Sequence, residues 1–265
     1  MATLTNRFRE PLPTWTAAIR NEAQEKIVSS IATRACREGD APAIREILIR
    51  FWPFVDVFPQ IIRRGCARLI RRELITTQLA KVNRIWDLLS LLILAKSTLS
   101  EIERDETDHG RLWVRTMKAL GLSNTSLDNP PIPSIGKLTA VVGEHCDPAT
   151  MFLRFAGVEI LAESISETLL QSDRFRATVG TKGLGWFLVH TAHPAPGEES
   201  HESLTYRLAF AFQDIPPDQV RVNAIVQEVI DLFVEAGEAI MKLLNSRSLS
   251  GISETVKQTE SVPWN

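Results

Sequence analysis

Glycine, tyrosine and cysteine are scarce in this sequence, and their scarcity excludes several classes of protein. The chain has 13 Gly and a single Tyr, and it has few runs of alternating β-branched residues, so a β-sheet protein is not expected. Three cysteines, Cys36, Cys66 and Cys146, are too few and too scattered for a disulfide framework or a zinc knuckle. This cysteine usage is typical of a protein in the reducing cytoplasm, where we expect the chain to work.

Long hydrophobic runs and nucleotide-binding motifs are also missing. The most apolar stretch, "IWDLLSLLILA" (85–95), is too short to span a bilayer, and the first fifteen residues have no apolar core of signal-peptide length. No G-x-G-x-x-G, Walker or G-x-S-x-G motif occurs. The net charge of −2 gives no reason to expect nucleic acid or an anionic membrane as a partner. A small-molecule substrate is therefore the expected partner.

The residues that are abundant predict one all-α domain. A chain of 265 residues with 44% hydrophobic residues suits a single large core. We expect an extended segment over residues 1–14, a bundle of about seven helices over 15–247, and a polar tail over 248–265. The first helix is predicted to run from about Thr16 to Arg37, with Gly39 as its stop. Pro53 is predicted to begin a helix and Pro59 to kink it.

Two Glu-x-x-His pairs are the candidate metal-binding motifs of the sequence. Glu106 and His109 occupy positions within an apolar stripe that advances in steps of three and four, through Leu99, Ile102, Trp113, Met117 and Leu120. Glu198 and His201 share a second such stripe with Thr205, Leu208 and Phe212. One such pair is unremarkable in a chain of this size, but two pairs on apolar stripes are informative. Buried carboxylates and imidazoles must be compensated, and bound cations would do so.

Bundles that bind two hard metal ions use this pattern. Two helices each supply Glu-x-x-His, and two further helices each supply one carboxylate. Asp56 in "WPFVDVF" and Glu163 in "EILAESISETLL" are our candidates for the further carboxylates. Glu73 is an alternative to Asp56, and Glu159 or Glu167 could replace Glu163. By contrast, Asp105 and Asp108 are expected to point away from the stripe.

Four segments together resemble the haem-oxygenase-like di-iron oxidases and oxygenases, which share the fold of the TenA and PqqC proteins. Their layout is most similar to that of the UndA-type fatty-acid decarboxylases. The segments are "FWPFVDVFP", "ERDETDHGRLWVRTMKALGL", "ILAESISETLL" and "WFLVHTAHPAPGEESHESL". They match in order and chemical type, in patches over about residues 45 to 215.

The resemblance implies a ligand set and an activity. One iron would take Asp56, Glu106, His109 and His190, and the second would take Glu163, Glu198 and His201, with Glu106 as a bridge. His193 is an alternative to His190. The implied cofactor is Fe(II), two per chain, with O2 as co-substrate and with Glu106 and His109 in the catalytic centre. The implied enzyme oxidises a small amino-acid, amine or fatty-acid-like substrate in specialised metabolite biosynthesis. The alternative is a metal-free or mononuclear TenA/PqqC-like protein that binds a small molecule.

A cluster of basic residues lies on a predicted helix outside these motifs. It comprises Arg63, Arg64, Arg68, Arg71 and Arg72. Such a cluster could hold a substrate carboxylate or a carrier protein, although a solvated basic face is the simpler interpretation. The sequence leaves this choice open, and it also leaves open whether the chain forms a homodimer.

Overall fold

The structure is a computed structural model that describes residues 8–77, 85–123, 131–192, 199–213 and 218–259. Within these ranges it contains ten α-helices and no strand, so the all-α prediction is confirmed. The helices are α1 (Trp15–Ser29), α2 (Ile31–Arg37), α3 (Ala41–Thr77), α4 (Ile85–Ala119), α5 (Pro133–Gly143), α6 (Pro148–Leu170), α7 (Asp173–Val179), α8 (Gly185–His190), α9 (His201–Ala211) and α10 (Gln219–Thr259). A 3₁₀ turn, Thr181–Gly183, joins α7 to α8. No helix in these ranges is long and apolar enough to cross a membrane.

The expected count of about seven helices is wrong, for local reasons. Ser30 has an extended backbone, with ψ of 146°, and its side chain accepts a hydrogen bond from the Thr33 amide, so the first predicted helix divides into α1 and α2. Helix α5 begins at Pro133, in a stretch that contains several Pro and Gly residues, and adds a further helix to the count. By contrast, the helix start expected at Pro53 is absent, because Pro53 and Pro59 both lie inside the uninterrupted α3.

Glycines end two helices of the bundle. Gly39 follows α2 and Gly121 follows α4, each with φ of 76°. This left-handed conformation is accessible to glycine without a steric cost, which is why helices commonly end at such a residue. A third glycine, Gly157, serves packing, because a Cβ at that position would lie 3.1 Å from the Cβ of Val229 on α10.

Helix α6 is the centre of the bundle. It contacts α1, α8, α9 and α10, and Phe152 to Leu161 are all buried. Asp147 caps its first turn by accepting a hydrogen bond from the Thr150 amide at 3.1 Å. Helix α4 packs along α3 and also contacts α8 and α9. Helices α8 and α9 therefore connect α4 to α6, and the polar residues of these four helices meet in the interior.

The buried stripe of α4 is the one that the sequence predicts. Leu99, Ile102, Trp113, Met117 and Leu120 are each at most 7% exposed. The indole Nε1 of Trp113 donates to the Leu48 carbonyl at 3.0 Å, which fixes α4 against α3. The rotation of α4 about its axis is therefore defined, and Glu106 and His109 turn inward with the stripe.

Candidate metal centre

Glu106 and His109 form a hydrogen-bonded pair inside the bundle. Their side chains are 12% and 15% exposed, and Nδ1 of His109 lies 2.9 Å from Oε1 of Glu106. Burial raises the pKa of Glu106, but the contact with His109 and the nearby His190 and His201 outweigh it and lower that pKa overall. Burial likewise lowers the pKa of His109, and its bond to Glu106 outweighs that effect and raises it. Glu106 is therefore a carboxylate at neutral pH.

His190, the last residue of α8, faces the same pair. Its ring centroid lies 4.4 Å from that of His109, and its Nδ1 lies 2.7 Å from the Trp186 carbonyl. Burial lowers the pKa of His190 to about 4, so the ring is neutral at pH 7. A carbonyl oxygen can only accept, so Nδ1 carries the proton and Nε2 keeps a free lone pair. This arrangement is the usual one for a metal-binding histidine.

Glu159 of α6 and His201 at the start of α9 lie on the other side of Glu106. Nδ1 of His201 is 3.9 Å from Oε1 of Glu159, and its Nε2 is 3.5 Å from a carboxylate oxygen of Asp105. Oε1 of Glu159 is buried and has no hydrogen-bond partner among the described residues. Burial and the neighbouring carboxylates, Glu106 first among them, raise the pKa of Glu159 well above its ordinary value. Among the described residues, no cation lies close enough to Glu159 to offset the loss of hydration that raises this pKa.

These side chains form two groups that could each hold a metal ion. Glu106, His109 and His190 make one group, and Glu106, Glu159 and His201 make the other. Within each group, one ligand atom per residue lies within 4.8 Å of the others. Glu106 belongs to both groups, so the two groups share a single carboxylate. Carboxylate and imidazole donors suit divalent first-row metals.

Glu163, one turn after Glu159, is engaged differently. Arg20 of α1 lies 2.7 Å from Glu163 and 4.0 Å from Glu167, and it also bonds to Glu202. Burial lowers the pKa of Arg20, but its hydrogen bond to Glu163 and the neighbouring acidic groups outweigh that effect and raise the pKa. The single positive charge of Arg20 therefore partly neutralises three carboxylates beside the two ligand groups.

Of the remaining predicted ligands, the structure describes the side chain of Asp56, which lies outside both ligand groups. Asp56 is exposed on the same polar face of α3 as Gln60 and Arg63. Glu198 and the alternative His193 lie outside the described residues, as does the side chain of the alternative Glu73. The roles of Glu198, His193 and Glu73 stay predictions.

Two residues near the centre were not anticipated. Asp105 was expected to point away from the stripe, yet its carboxylate faces His201. Arg20 was not singled out at all, although it precedes the buried Ala23 and Ile27 by three and seven residues. That spacing places Arg20 on the apolar side of an amphipathic helix, and a charge in such a position is a signal for a buried ion pair.

Comparison with known proteins gives a result at the level of the fold. The sequence matches no family model and no curated protein. Among solved structures, the chain is similar to a crystal structure of a TenA homolog from Pseudomonas syringae pv. tomato str. DC3000, with a TM-score of 0.67. The two are 15% identical over 87% of this chain and 93% of the other.

The fold is TenA-like. A similarity at 15% identity establishes the architecture and leaves the chemistry to the site itself. In this TenA-like bundle, the two groups of Glu and His ligands mark the interior as a candidate metal centre.

Proposed function

We propose that this TenA-like protein is a non-haem iron oxidase or oxygenase that uses dioxygen to oxidise a small organic substrate. The observation that carries the proposal is the convergence of two ligand groups on Glu106. Two irons per chain would be held, one by Glu106, His109 and His190, and one by Glu106, Glu159 and His201. Amino-acid, amine and fatty-acid-like substrates remain the candidate classes, with specialised metabolite biosynthesis as the setting.

The residues fit iron on three counts. The buried Oε1 of Glu159 has no partner among the described residues, so a cation would satisfy it. His190 presents a neutral Nε2 because its Nδ1 donates to the Trp186 carbonyl. The combination of carboxylates and imidazoles neutralises divalent charge without thiolates, which suits iron better than a soft metal. Bound iron would supply the redox chemistry with dioxygen.

The protein's own residues organise the surroundings of this centre. The rings of Trp113 and Trp186 lie edge to face at 4.8 Å, and Trp186 also packs against His190 at 4.2 Å. These rings hold the histidine in place and exclude water from one side of the ligand groups. Exclusion of water strengthens the electrostatic interactions of the centre and protects reactive species from hydrolysis.

A second candidate function has its own supporting observation. Arg20 already compensates Glu163 and Glu202, and His109 already bonds to Glu106. Much of the polar cluster is therefore satisfied without a metal. A mononuclear or metal-free protein that binds a small molecule would use these same contacts.

Anaerobic titration with Fe(II) separates the two candidates. We expect about two irons per chain, followed by a transient absorption when oxygen is admitted. Both should be lost from Glu106→Ala and His109→Ala, because each substitution removes a ligand. Asp108→Asn is the matched control, since Asp108 is exposed on the same helix, and it should bind iron as the wild type does.

The result decides among three outcomes. One iron per chain would support the mononuclear alternative. A folded protein that binds no iron would contradict the iron proposal, and circular dichroism would establish that the chain is folded.

A further inference from the structure

An open cleft between α3 and α4 is rich in basic residues and ends at Glu106. It has a volume of about 780 Å³. Five cationic side chains line it: Arg63, Arg64, Arg111, Arg115 and Lys118. Only Asp56 and Glu106 oppose them among its described lining residues. The basic cluster predicted on one helix is thus extended by the basic residues of a second helix.

Three of these cations are free to bind a ligand. Arg63 pairs with Glu103 at 2.6 Å, and Arg111 pairs with Asp108 at 2.6 Å. Arg64, Arg115 and Lys118 are exposed, and within the ranges that the structure describes, no carboxylate forms an ion pair with them. A cleft that presents three unpaired cations attracts anions.

An apolar cavity lies on the other side of Glu106. Its volume of about 90 Å³ has room for roughly six water-sized groups. Aromatic and aliphatic side chains make up most of its wall, and no lysine or arginine lines it. Val55 and Glu106 line both this cavity and the basic cleft. A molecule that extends from one space into the other must therefore pass Glu106, the residue common to both ligand groups.

A second cleft, against His109 and His190, has the opposite charge. Its volume is about 690 Å³. Six acidic side chains line it: Glu101, Asp105, Glu159, Glu163, Glu199 and Glu202. None of its described lining residues is a lysine or an arginine. Arg20 pairs with Glu163 and Glu202, and Arg207 pairs with Glu199, but Glu101 and Asp105 leave this cleft with excess negative charge, so the basic cleft is the favoured approach for a negatively charged substrate.

We propose that the apolar cavity and the basic cleft together bind one substrate, made of an apolar body and an anionic head group. The apolar body occupies the cavity, and the head group is held by Arg64, Arg115 and Lys118 in the cleft. That this molecule is the substrate of an oxidation rests on the iron-enzyme function proposed above. Among the candidate substrate classes, the two spaces favour acids over amines and zwitterions. As a statement about binding, the proposal stands without iron.

Three eight-carbon probes that differ only in charge test this selection. Binding of octanoate, octanol and octylamine to the full-length chain would be measured by calorimetry, in metal-free form and again with Fe(II) under anaerobic conditions. We expect octanoate to bind more tightly than octanol, because its carboxylate can form charge-assisted hydrogen bonds in the basic cleft. The preference should be about tenfold, because the solvent and salt of an exposed cleft partly screen these bonds. Octylamine should bind more weakly than octanol, and added salt should reduce the preference for octanoate.

Two variants test the basic cleft and the apolar cavity separately. In Arg64→Gln/Arg115→Gln/Lys118→Gln, the preference for octanoate should disappear while octanol binds as before. Arg45→Gln/Arg174→Gln/Lys182→Gln is the matched control, because it removes the same charge from exposed positions that line neither cleft. Ala162→Leu narrows the apolar cavity and should weaken octanoate and octanol to a similar degree.

Several results would overturn the proposal. Equal affinity for octanol and octanoate, or an unchanged preference in the triple cleft variant, would show that the cleft does not recognise an anion. Absence of binding by all three probes to both forms would show that the cavity is not a ligand site. Octanoate binding to the metal-free chain alongside a negative iron titration would support this inference while the iron proposal fails.

Discussion

At the scale of single residues, the candidate centre is a set of buried carboxylates with too few cations among the described side chains. His109 pairs with Glu106, and Arg20 pairs with Glu163 and Glu202. Glu159 has no hydrogen bond at Oε1 within the described ranges. Its raised pKa means that the folded state resists losing this proton, so its contribution to stability is present at low pH and is lost as pH rises.

Replacing Glu159 should stabilise the metal-free protein and weaken its binding of metal. Glu159→Gln removes the buried ionisable group, so we expect the metal-free protein to become more stable by about 1–2 kcal/mol at pH 8. The gain should be smaller at pH 5, nearer the unfolded-state pKa of about 4.3. Urea unfolding at both pH values measures this effect, and iron titration should show weaker binding. Glu25→Gln, at an exposed position, is the control, and a loss of stability in Glu159→Gln would contradict the argument.

The single tyrosine of the chain, Tyr206, gives a direct optical test of burial. It is 0% exposed, and burial, with Glu202 nearby, raises its pKa. In the folded protein, tyrosinate absorption should be absent at pH values where a free tyrosine, with a pKa of about 10, is ionised. Stability should fall above that pH, because only the unfolded chain then releases the proton. Titration of the urea-unfolded chain is the reference, and a folded-state midpoint near 10 would show that Tyr206 is solvated.

At the scale of helices, the boundaries depend more on capping side chains and glycine conformation than on the helix propensity of the residues between them. Ser30 and Asp147 begin α2 and α6 through side-chain caps, and Gly39 and Gly121 end α2 and α4. Helix α3 tolerates two prolines. Proline costs helix stability through one missing backbone hydrogen bond and a local clash, and the buried stripe of α3, which includes Phe51, offsets that cost.

The cap of α6 should contribute a measurable and pH-dependent stability. Burial raises the pKa of Asp147, but its hydrogen bonds from Thr150 outweigh that effect and lower it. Asp147→Ala should cost about 1 kcal/mol at pH 7. The difference should be present above the unfolded-state pKa of about 3.9 and should shrink as pH falls below it. Urea unfolding of both proteins at pH 7 and pH 3.5 tests this. An equal difference at both pH values would mean that the charged cap is not the cause.

At the scale of the molecule, one hydrophobic cluster joins helices from α1 to α10 and surrounds the polar centre. The centre takes its ligand groups from α4, α6, α8 and α9. A metal bound there would connect these helices, and a ligand that binds only the folded state stabilises it.

Metal loading should therefore raise the temperature of a single unfolding transition. At an Fe(II) concentration about 100 times the dissociation constant, the gain is about 2.7 kcal/mol, which corresponds to roughly 5–10 °C for a chain of this size. Chelation should reverse the shift, and His201→Ala should reduce it. Asp56→Asn should keep the full shift, because Asp56 is exposed. A reduced shift in Asp56→Asn would restore Asp56 as a ligand, and no shift in the wild type would contradict the metal centre.

The sequence by itself determined the helical class, the ends of α2 and α4, and the inward position of Glu106 and His109. All of these follow from interactions within a few residues of the chain, where helical periodicity and glycine conformation act. Helical periodicity also indicates that Asp56 is exposed, since it shares a polar stripe of α3 with Gln60 and Arg63. The family resemblance implies Asp56 as a ligand from residue type and order alone, and its role stays a prediction.

Only the tertiary structure decided how the inward residues combine. Arg20 and Glu163 are far apart in sequence, and Asp105 meets His201 across two helices. Such encounters depend on how whole helices rotate and pack, which no local pattern encodes. For the same reason, the sequence leaves open that Arg20 contacts Glu163 while His201 contacts Glu159. The opposite charges of the two clefts likewise appear only when α3, α4, α6 and α9 are assembled.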